Sequence, residues 1–490
     1  MTASSDVPVL IVGAGPTGLT AALELTRLGV AVRIVDRAAE PSPESRALAV
    51  QARTLELLRV RGVGDEMVSL GNRAHSAALH AGGGKIARIE LSRMPSEFNY
   101  ILMLAQSETE RILTEHLSRQ GVKVERGVEV TAVNSHRDHA DVTVRSGKGT
   151  TDTVRAHYVI AADGPHSTLR KATDLGFPGR TLPHAYVLAD LYIDGDIAED
   201  QVSIFLAANG FVAVFPMGEG RFRLMATDPD GVVDSNGDPI IAIQKLFDRV
   251  VHIPVRLHSL NWTSRFRINS RHMTVLRSGR VFFGGDAAHV HSPAGGQGMN
   301  LGIQDMINLS WKLAMVMDGR AKPELLDTYS SERIPVIKKL VRFTELGTRI
   351  FNSTNPVVHQ VRIRMAPRAL SHDRVQNAAA AMFGQMSAGY RGDAFTADAG
   401  GAQGLRAGDR VPDANGMYDA LDLGALTLFT DDEQIVDLAR GWAGVVTVRR
   451  GTRPGGWMVV RPDGYLGAAG GSGDAPALDR WLNRWFVRPR

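Results

Sequence analysis

The 490-residue chain contains no cysteine. That absence removes a disulfide framework, a thiolate nucleophile, an iron–sulfur cluster and a cysteine-ligated zinc. It also fits a reducing, cytoplasmic home. No excess of one charge is present either: 56 Lys and Arg stand against 52 Asp and Glu, a formal net of +4. The densest basic cluster, Arg265, Arg267 and Arg271 with His272, is too short for a nucleic-acid-binding arm. Uncharged apolar runs of the ~18 residues that span a bilayer are missing. The apolar start from Val7 to Leu25 is interrupted by Gly13, Gly15, Pro16, Gly18 and Glu24, with no basic residue ahead of it. Neither a signal peptide nor a membrane span is expected.

Glycine, by contrast, is abundant, at 51 residues. Its first cluster carries chemistry. Val9-Leu10-Ile11-Val12 reads as a strand buried on both faces. It runs into Gly13-Ala14-Gly15-Pro16-Thr17-Gly18, an uninterrupted G-x-G-x-x-G. Leu19, Ala22, Leu23 and Thr26 follow at helical spacing, with Gly29 where a helix C-cap belongs. A second strand, Ala31 to Val35, ends in Asp36, followed by Arg37. Gly13 permits the tight turn, Gly15 lets a pyrophosphate approach the backbone, and Gly18 allows helix and strand to pack. The helix N-terminus offers free N–H groups to phosphate, and Asp36 can accept from ribose hydroxyls. This is a dinucleotide site; the motif alone leaves NAD and FAD open.

Two distant segments favour FAD. Tyr158-Val159-Ile160-Ala161-Ala162-Asp163-Gly164 and Val281-Phe282-Phe283-Gly284-Gly285-Asp286 are apolar strands that each end in an acid beside a glycine. Ligands of open α/β sheets lie beyond such strand ends. Three of them, spread over some 290 residues, imply one long ligand. The set resembles the single-component FAD-dependent aromatic hydroxylases, the group A flavoprotein monooxygenases, over nearly the whole chain. Within them the likeness is to the subgroup acting on phenols, polyketides and antibiotics. It is carried by Glu44-Ser45-Arg46-Ala47, by His289-Val290-His291-Ser292-Pro293-Ala294-Gly295-Gly296-Gln297-Gly298-Met299-Asn300 and by Tyr329-Ser330-Ser331-Glu332-Arg333.

By that resemblance Asp286 holds the ribityl chain, Arg46 and Gln106 contact the pyrophosphate and ribityl region, and Asp163 supports FAD and affects the nicotinamide donor. Arg37 and Val130 complete the expected cofactor contacts. Pro293 to Asn300 has a physical reading of its own. Gly295, Gly296 and Gly298 leave backbone N–H groups uncovered at the start of a helix marked by Met299, Ile303, Met306, Ile307 and Trp311. Such donors suit the N1–O2 edge of a reduced flavin. His289 and His291 lack further ligand partners, so no metal is expected. The other glycine clusters, Gly82 to Gly84 and Gly470 to Gly473, read as turns or loops. With no second fingerprint, two-Rossmann reductases and the Baeyer–Villiger family are disfavoured. The halogenase W-x-W-x-I-P is missing, Trp262 standing alone, and no G-x-S-x-G elbow occurs.

The expected fold is α/β: a Rossmann-type FAD-binding domain with an inserted antiparallel substrate sheet and a thioredoxin-like C-terminal domain. The FAD domain takes 1–75, 100–180 and 270–345, the substrate layer 76–99 and 181–269, a helical connection 346–398 and the tail 405–490. In the substrate layer Phe205, Phe211, Phe215 and Met225 are expected to line an apolar pocket. The tail, without Cys-x-x-Cys, can do no dithiol chemistry, and Trp481 and Trp485 are expected in its core. The family implies that NADPH or NADH reduces FAD. O2 then forms a flavin C4a-hydroperoxide that hydroxylates an aromatic substrate, with no obligatory protein acid or base. The family also implies an isoalloxazine that swings between two positions. Epoxidation or Baeyer–Villiger insertion on this scaffold, or a non-catalytic flavin- or drug-binding role, stays open. The expected partners are a small aromatic substrate, O2 and NAD(P)H, with no nucleic acid and no membrane, in a monomer or homodimer.

Overall fold

Val9, Leu10 and Ile11 are wholly buried because their strand, Ser5–Val12, has a parallel neighbour on each side. These neighbours are Thr151–Ala161 and Val32–Asp36, and the sheet continues through Val281–Phe283 and Val124–Arg126. Its central strands are covered on both faces, as their near-continuous apolar sequences demand. The computed structural model describes residues 5–42, 47–147, 149–208, 210–229, 231, 238–293, 295–353, 355–399, 404–413, 416–450 and 456–489. The helix Pro16–Arg27 follows the first strand, and Gly29 takes φ +78° just beyond its end. A hairpin of Val128–Ser135 and Ala140–Ser146 extends Thr151–Ala161 on its other edge.

A second eight-stranded sheet stands beside the first. Its order is His289–Val290, Arg256–His272, Gly179–Asp194, Arg221–Thr227, Gly210–Gly218, Gln201–Ala207, Ser76–Ala81 and Gly84–Glu90. Every pairing is antiparallel except Gln201–Ala207 with Ser76–Ala81. The turn at Gly218, Glu219 and Gly220 holds all three residues at positive φ, which the glycines accept without a Cβ clash. One face of this sheet is covered by the helix Pro239–Asp248 through Ile243, Leu246 and Phe247.

The C-terminal sheet runs Ala397–Ala399, Leu466–Gly471, Gly456–Val460, Leu426–Thr430 and Val446–Arg449. With the helices Glu433–Arg440 and Ala475–Trp485 it is compatible with a thioredoxin-like arrangement. Here one expectation is corrected: Gly470 and Gly471 lie in a strand, not a loop. The indole of Trp457 packs where a side chain on Gly470 would stand, at 2.5 Å from an ideal Cβ. Five of the six tryptophans, all but Trp262, share the core of this unit.

Two buried ionic clusters dock that unit on the cofactor domain. Glu332, on the helix Thr328–Phe351, accepts from Arg461 at 2.6 and 2.8 Å, Lys312 at 2.7 Å and Asn308 at 2.7 Å. Arg461 also pairs with Asp463 at 2.6 Å. Burial pushes the Glu332 carboxyl up, but Arg461 and Lys312 outweigh it and hold it at about 2. In the second cluster Glu56 pairs with Arg53 and Arg410, and Arg53 donates to the Asp463 carbonyl at 2.6 Å.

Candidate flavin and substrate site

The glycine turn is shaped by what crowds it. Gly13 has φ +102°, and a methyl there would overlap the carbonyl of Ala162; one on Gly18 would overlap the carbonyl of Gly13. Gly15 differs. Its φ of −77° is ordinary, and a Cβ would find only the Glu110 carboxylate, 4.0 Å away. That space in front of Gly15 is open to a ligand, with the helix N-terminus behind it. Pro16 begins the helix, where its missing N–H costs nothing. Asp36 accepts from the N–H of Ala14 at 2.6 Å and of Ala38 at 2.8 Å, so it also braces the turn. Arg37 beside it is exposed.

The second strand end lies against the first. Asp163 Oδ2 accepts from the N–H of Thr168 at 2.8 Å and of Leu169 at 3.3 Å, while its Oδ1 is buried with no partner among the described residues. At the third, Asp286 is exposed, whereas Gly285 is buried and donates to Asp305 at 3.1 Å. Asp305 is fixed in turn by His289 and Arg333, each at 2.7 Å. Burial raises the Asp305 carboxyl, but Arg333 and His289 prevail and hold it below the usual range. Thr17 fills the space that side chains on Gly285 and Gly302 would need, joining the first helix to the helix Gly298–Met317.

The glycine loop ahead of that helix is held from behind. Gly296 donates to the Pro293 carbonyl at 2.8 Å and packs on Ala49, 2.6 Å from its ideal Cβ position. Asn300 is wholly buried, and its amide bonds the carbonyls of Ala49 at 2.8 Å and Gly296 at 3.0 Å. Gly298, Met299 and Asn300 are the first three residues of the helix, so their N–H groups have no intrahelical acceptor. His291 donates from Nδ1 to the Ser292 carbonyl at 2.9 Å, and burial pushes its pKa down to about 4. Gln106 begins the helix Gln106–Arg119, bonds Ala47 through Oε1 at 3.2 Å and donates to Glu110 at 2.8 Å. Val130 is a core residue opposite Val144. Arg46 and Ala294 lie outside the described residues.

The open space at Gly15, the unpartnered Asp163 oxygen and the exposed Asp286 fit a dinucleotide laid along the ends of the sheet. Glu110 is a residue the motifs did not reveal. It faces Gly15, and burial raises its pKa above the usual carboxylate value. Only its i, i+4 spacing from Gln106 hinted at it.

The aromatic residues of the second sheet do not all meet. Phe211, Phe215 and Met225 share one face with Tyr186 and Phe266, whose rings lie 5.9 Å apart. Burial raises the Tyr186 phenol to about 12, and its oxygen accepts from Asn352 at 2.7 Å. Phe205 is corrected: it sits opposite Val212, faces the helix Pro239–Asp248 and stacks on His80 at 4.5 Å. It cannot line the same pocket. Sequence reasoning also missed Arg223, which is buried on the Phe215 face. It grips Asp190 at 2.6 and 2.7 Å and donates to the Ala47 carbonyl at 3.2 Å, tying the substrate sheet to the segment after Arg46. A separate cavity of about 590 Å³ lies behind the glycine loop, between Leu301, Phe343, Gln385 and Arg410.

The profile of the FAD binding domain family matches residues 6–344. The chain belongs to that family. The flavoprotein is 36% identical to a 6-methylpretetramide 4-monooxygenase of Streptomyces rimosus, over all of this chain and 95% of the relative. It is 32% identical to a pentachlorophenol 4-monooxygenase of Sphingobium chlorophenolicum, over 84% of this chain and 76% of the relative. An anhydrotetracycline hydroxylase from Streptomyces rimosus superposes with a TM-score of 0.82 at 28% identity, covering 99% of this chain and all of the other. This flavoprotein is an FAD-dependent aromatic hydroxylase, an oxygenase that draws electrons from a reduced nicotinamide. No helix among its described residues is long and apolar enough to cross a membrane.

Proposed function

We propose that this hydroxylase inserts one oxygen atom into a fused-ring aromatic of the polyketide kind, and that the residues above hold FAD. The overall balance is ArH + O2 + NAD(P)H + H+ → ArOH + NAD(P)+ + H2O. When bound, FAD supplies the redox and oxygen chemistry. The chain's residues position and enclose. Gly15 and the first helix would hold the pyrophosphate, Asp36 the ribose, and Asp163 and Asp286 the polar middle of the cofactor. The N–H groups of Gly298, Met299 and Asn300 would serve the electron-rich edge of its ring system. Phe215 and Phe266, half-buried on one face of the sheet and backed by the buried Phe211, Met225 and Tyr186, would offer the substrate an apolar floor. The C-terminal unit, lacking cysteine, serves as a structural partner of the FAD domain, in a monomer or homodimer in the cytoplasm.

The observation that carries the substrate class is that aromatic floor, joined by Arg223 to the cofactor side of the molecule. The pretetramide relative supports the same class. The test is NADPH and O2 consumption with tetracyclic, angular polycyclic and simple phenolic compounds, with products read by mass. A gain of 16 mass units on polycyclic compounds, with NADPH consumed one for one, is expected. Turnover confined to single-ring phenols would overturn the choice of class.

A further inference from the structure

The helix Asp373–Phe383 ends in a conventional way with an unconventional residue. Gln385 donates to the Met382 carbonyl at 3.1 Å and Met386 to the Ala381 carbonyl at 2.8 Å, which is the Schellman pattern. That pattern puts its left-handed residue at Gln385, with φ +57°. Glycine is the ordinary occupant of such a site. A glycine is present, but one residue early: Gly384 has an ordinary φ of −74° and is small because Met94 presses on it. The chain therefore carries a strained, buried glutamine where strain could have been avoided. An outlier of this kind points to a use for its side chain.

The side chain has a specific destination. Its Nε2 donates to the carbonyl of Gln297 at 3.1 Å, and its Oε1 accepts from Gln304 Nε2 at 2.6 Å. Gln297 is the cap residue of the helix Gly298–Met317, and its carbonyl also accepts the first helical bond, from Leu301 at 3.1 Å. Gln304 lies two turns further along the same helix. One amide thus bridges the cap and the second turn. On this side the helix borders a cavity of about 590 Å³, lined by Gln297, Leu301, Gln304 and Gln385 themselves.

We infer that Gln385 is a positioning residue for the flavin loop: its amide fixes the start of the helix Gly298–Met317, and with it the N–H groups offered to the isoalloxazine. The inference rests on the reading that this helix N-terminus meets the flavin. Gln385 acts on the loop through Gln297.

Two variants separate the amide from the backbone. Gln385→Met keeps length and strain but loses both hydrogen bonds, whereas Gln385→Gly loses them and relieves the strain. Each is prepared as apo-protein and titrated with FAD. The readouts are the dissociation constant, the visible circular dichroism of the bound flavin and its reduction potential. Both variants should bind FAD between about 5- and 30-fold more weakly, the effect of one or two net hydrogen bonds. Both should change the flavin dichroism, while apo Gln385→Gly melts no lower than the native apo-protein. Unchanged flavin readouts in both variants would overturn the inference, as would losses of affinity that merely follow losses of apo melting temperature. Asn300→Ala, which frees the loop directly, separates the two levels of the argument. If it alone disturbs the flavin, Gln385 is not a positioning residue; if no variant does, the reading of the helix N-terminus falls.

Discussion

Replacing Glu332 by Gln removes one charge from a fully buried site. The carboxylate receives four hydrogen bonds, two from Arg461 and one each from Lys312 and Asn308, and Glu332, Lys312 and Arg461 are fully buried. A glutamine of the same shape offers one acceptor and turns an NH2 toward donors, leaving Lys312 without a carboxylate. The held pKa gives the scale. Between the usual 4.5 and about 2, at about 1.4 kcal/mol per pH unit, the ionised form gains about 3 kcal/mol on folding. Breaking a buried pair by removing one partner costs about 3–5 kcal/mol in other proteins. A loss of about 3 kcal/mol is therefore expected in Glu332→Gln, concentrated where Arg461 meets the FAD domain. The assay is urea unfolding followed by tryptophan fluorescence, which reports the C-terminal core because five of the six indoles lie there. The fluorescence midpoint should fall well ahead of the flavin-release midpoint. A change below about 0.5 kcal/mol, the scatter of ordinary surface substitutions, would refute the reasoning.

The same carboxylate sets an acid limit. Its pKa is depressed in the folded state, so its contribution is complete above about 4.5 and is lost as pH falls toward about 2; the acid-unfolding curve of Glu332→Gln should be flatter across that window. Lys312 adds a second rise with pH at the alkaline end: burial lowers it to about 8, so stability should rise between pH 8 and the unfolded value near 10.5, and Lys312→Met should remove that rise. Gly15→Ala should leave the apo-protein's melting temperature unchanged, since the added methyl meets nothing closer than 4.0 Å, yet weaken FAD about 10-fold or more; equal affinity would mean that the pyrophosphate lies elsewhere. Phe215→Leu should raise KM for the aromatic substrate while Phe205→Leu does not, as measured by initial rates, because the two rings point to opposite faces of one sheet.

Local features were legible in the sequence. The strand, glycine turn and helix from Ser5 to Arg27 are written in consecutive residues, and the strands Thr151–Ala161 and Val281–Phe283 announce themselves by apolar runs that lead to Asp163 and Asp286. What depends on register was not legible. Phe205 and Phe211 are six residues apart on two strands of a hairpin, yet pairing of Phe205 with Val212 puts them on opposite faces. Partnerships across long separations were equally hidden. Glu332 and Arg461 are 129 residues apart, and Arg223 reaches Ala47 across 176. Each looks like an ordinary surface charge until the fold buries it. Gly470 was misread for a related reason: a glycine that exists to admit a neighbour's indole resembles one that exists to turn the chain.

Thr17 has a consequence for any attempt to recombine this enzyme with its relatives. Its side chain occupies the space left by both Gly285 and Gly302, so the turn that opens the chain and the helix nearly 300 residues later were fitted to each other. A hybrid that takes its first segment from one parent and its last cofactor segment from another inherits a lock and a key cut separately. Crossover points that keep Thr17, Gly285 and Gly302 from a single parent preserve that fit, and the hybrid's ability to retain flavin will follow those three positions more closely than overall identity between the parents.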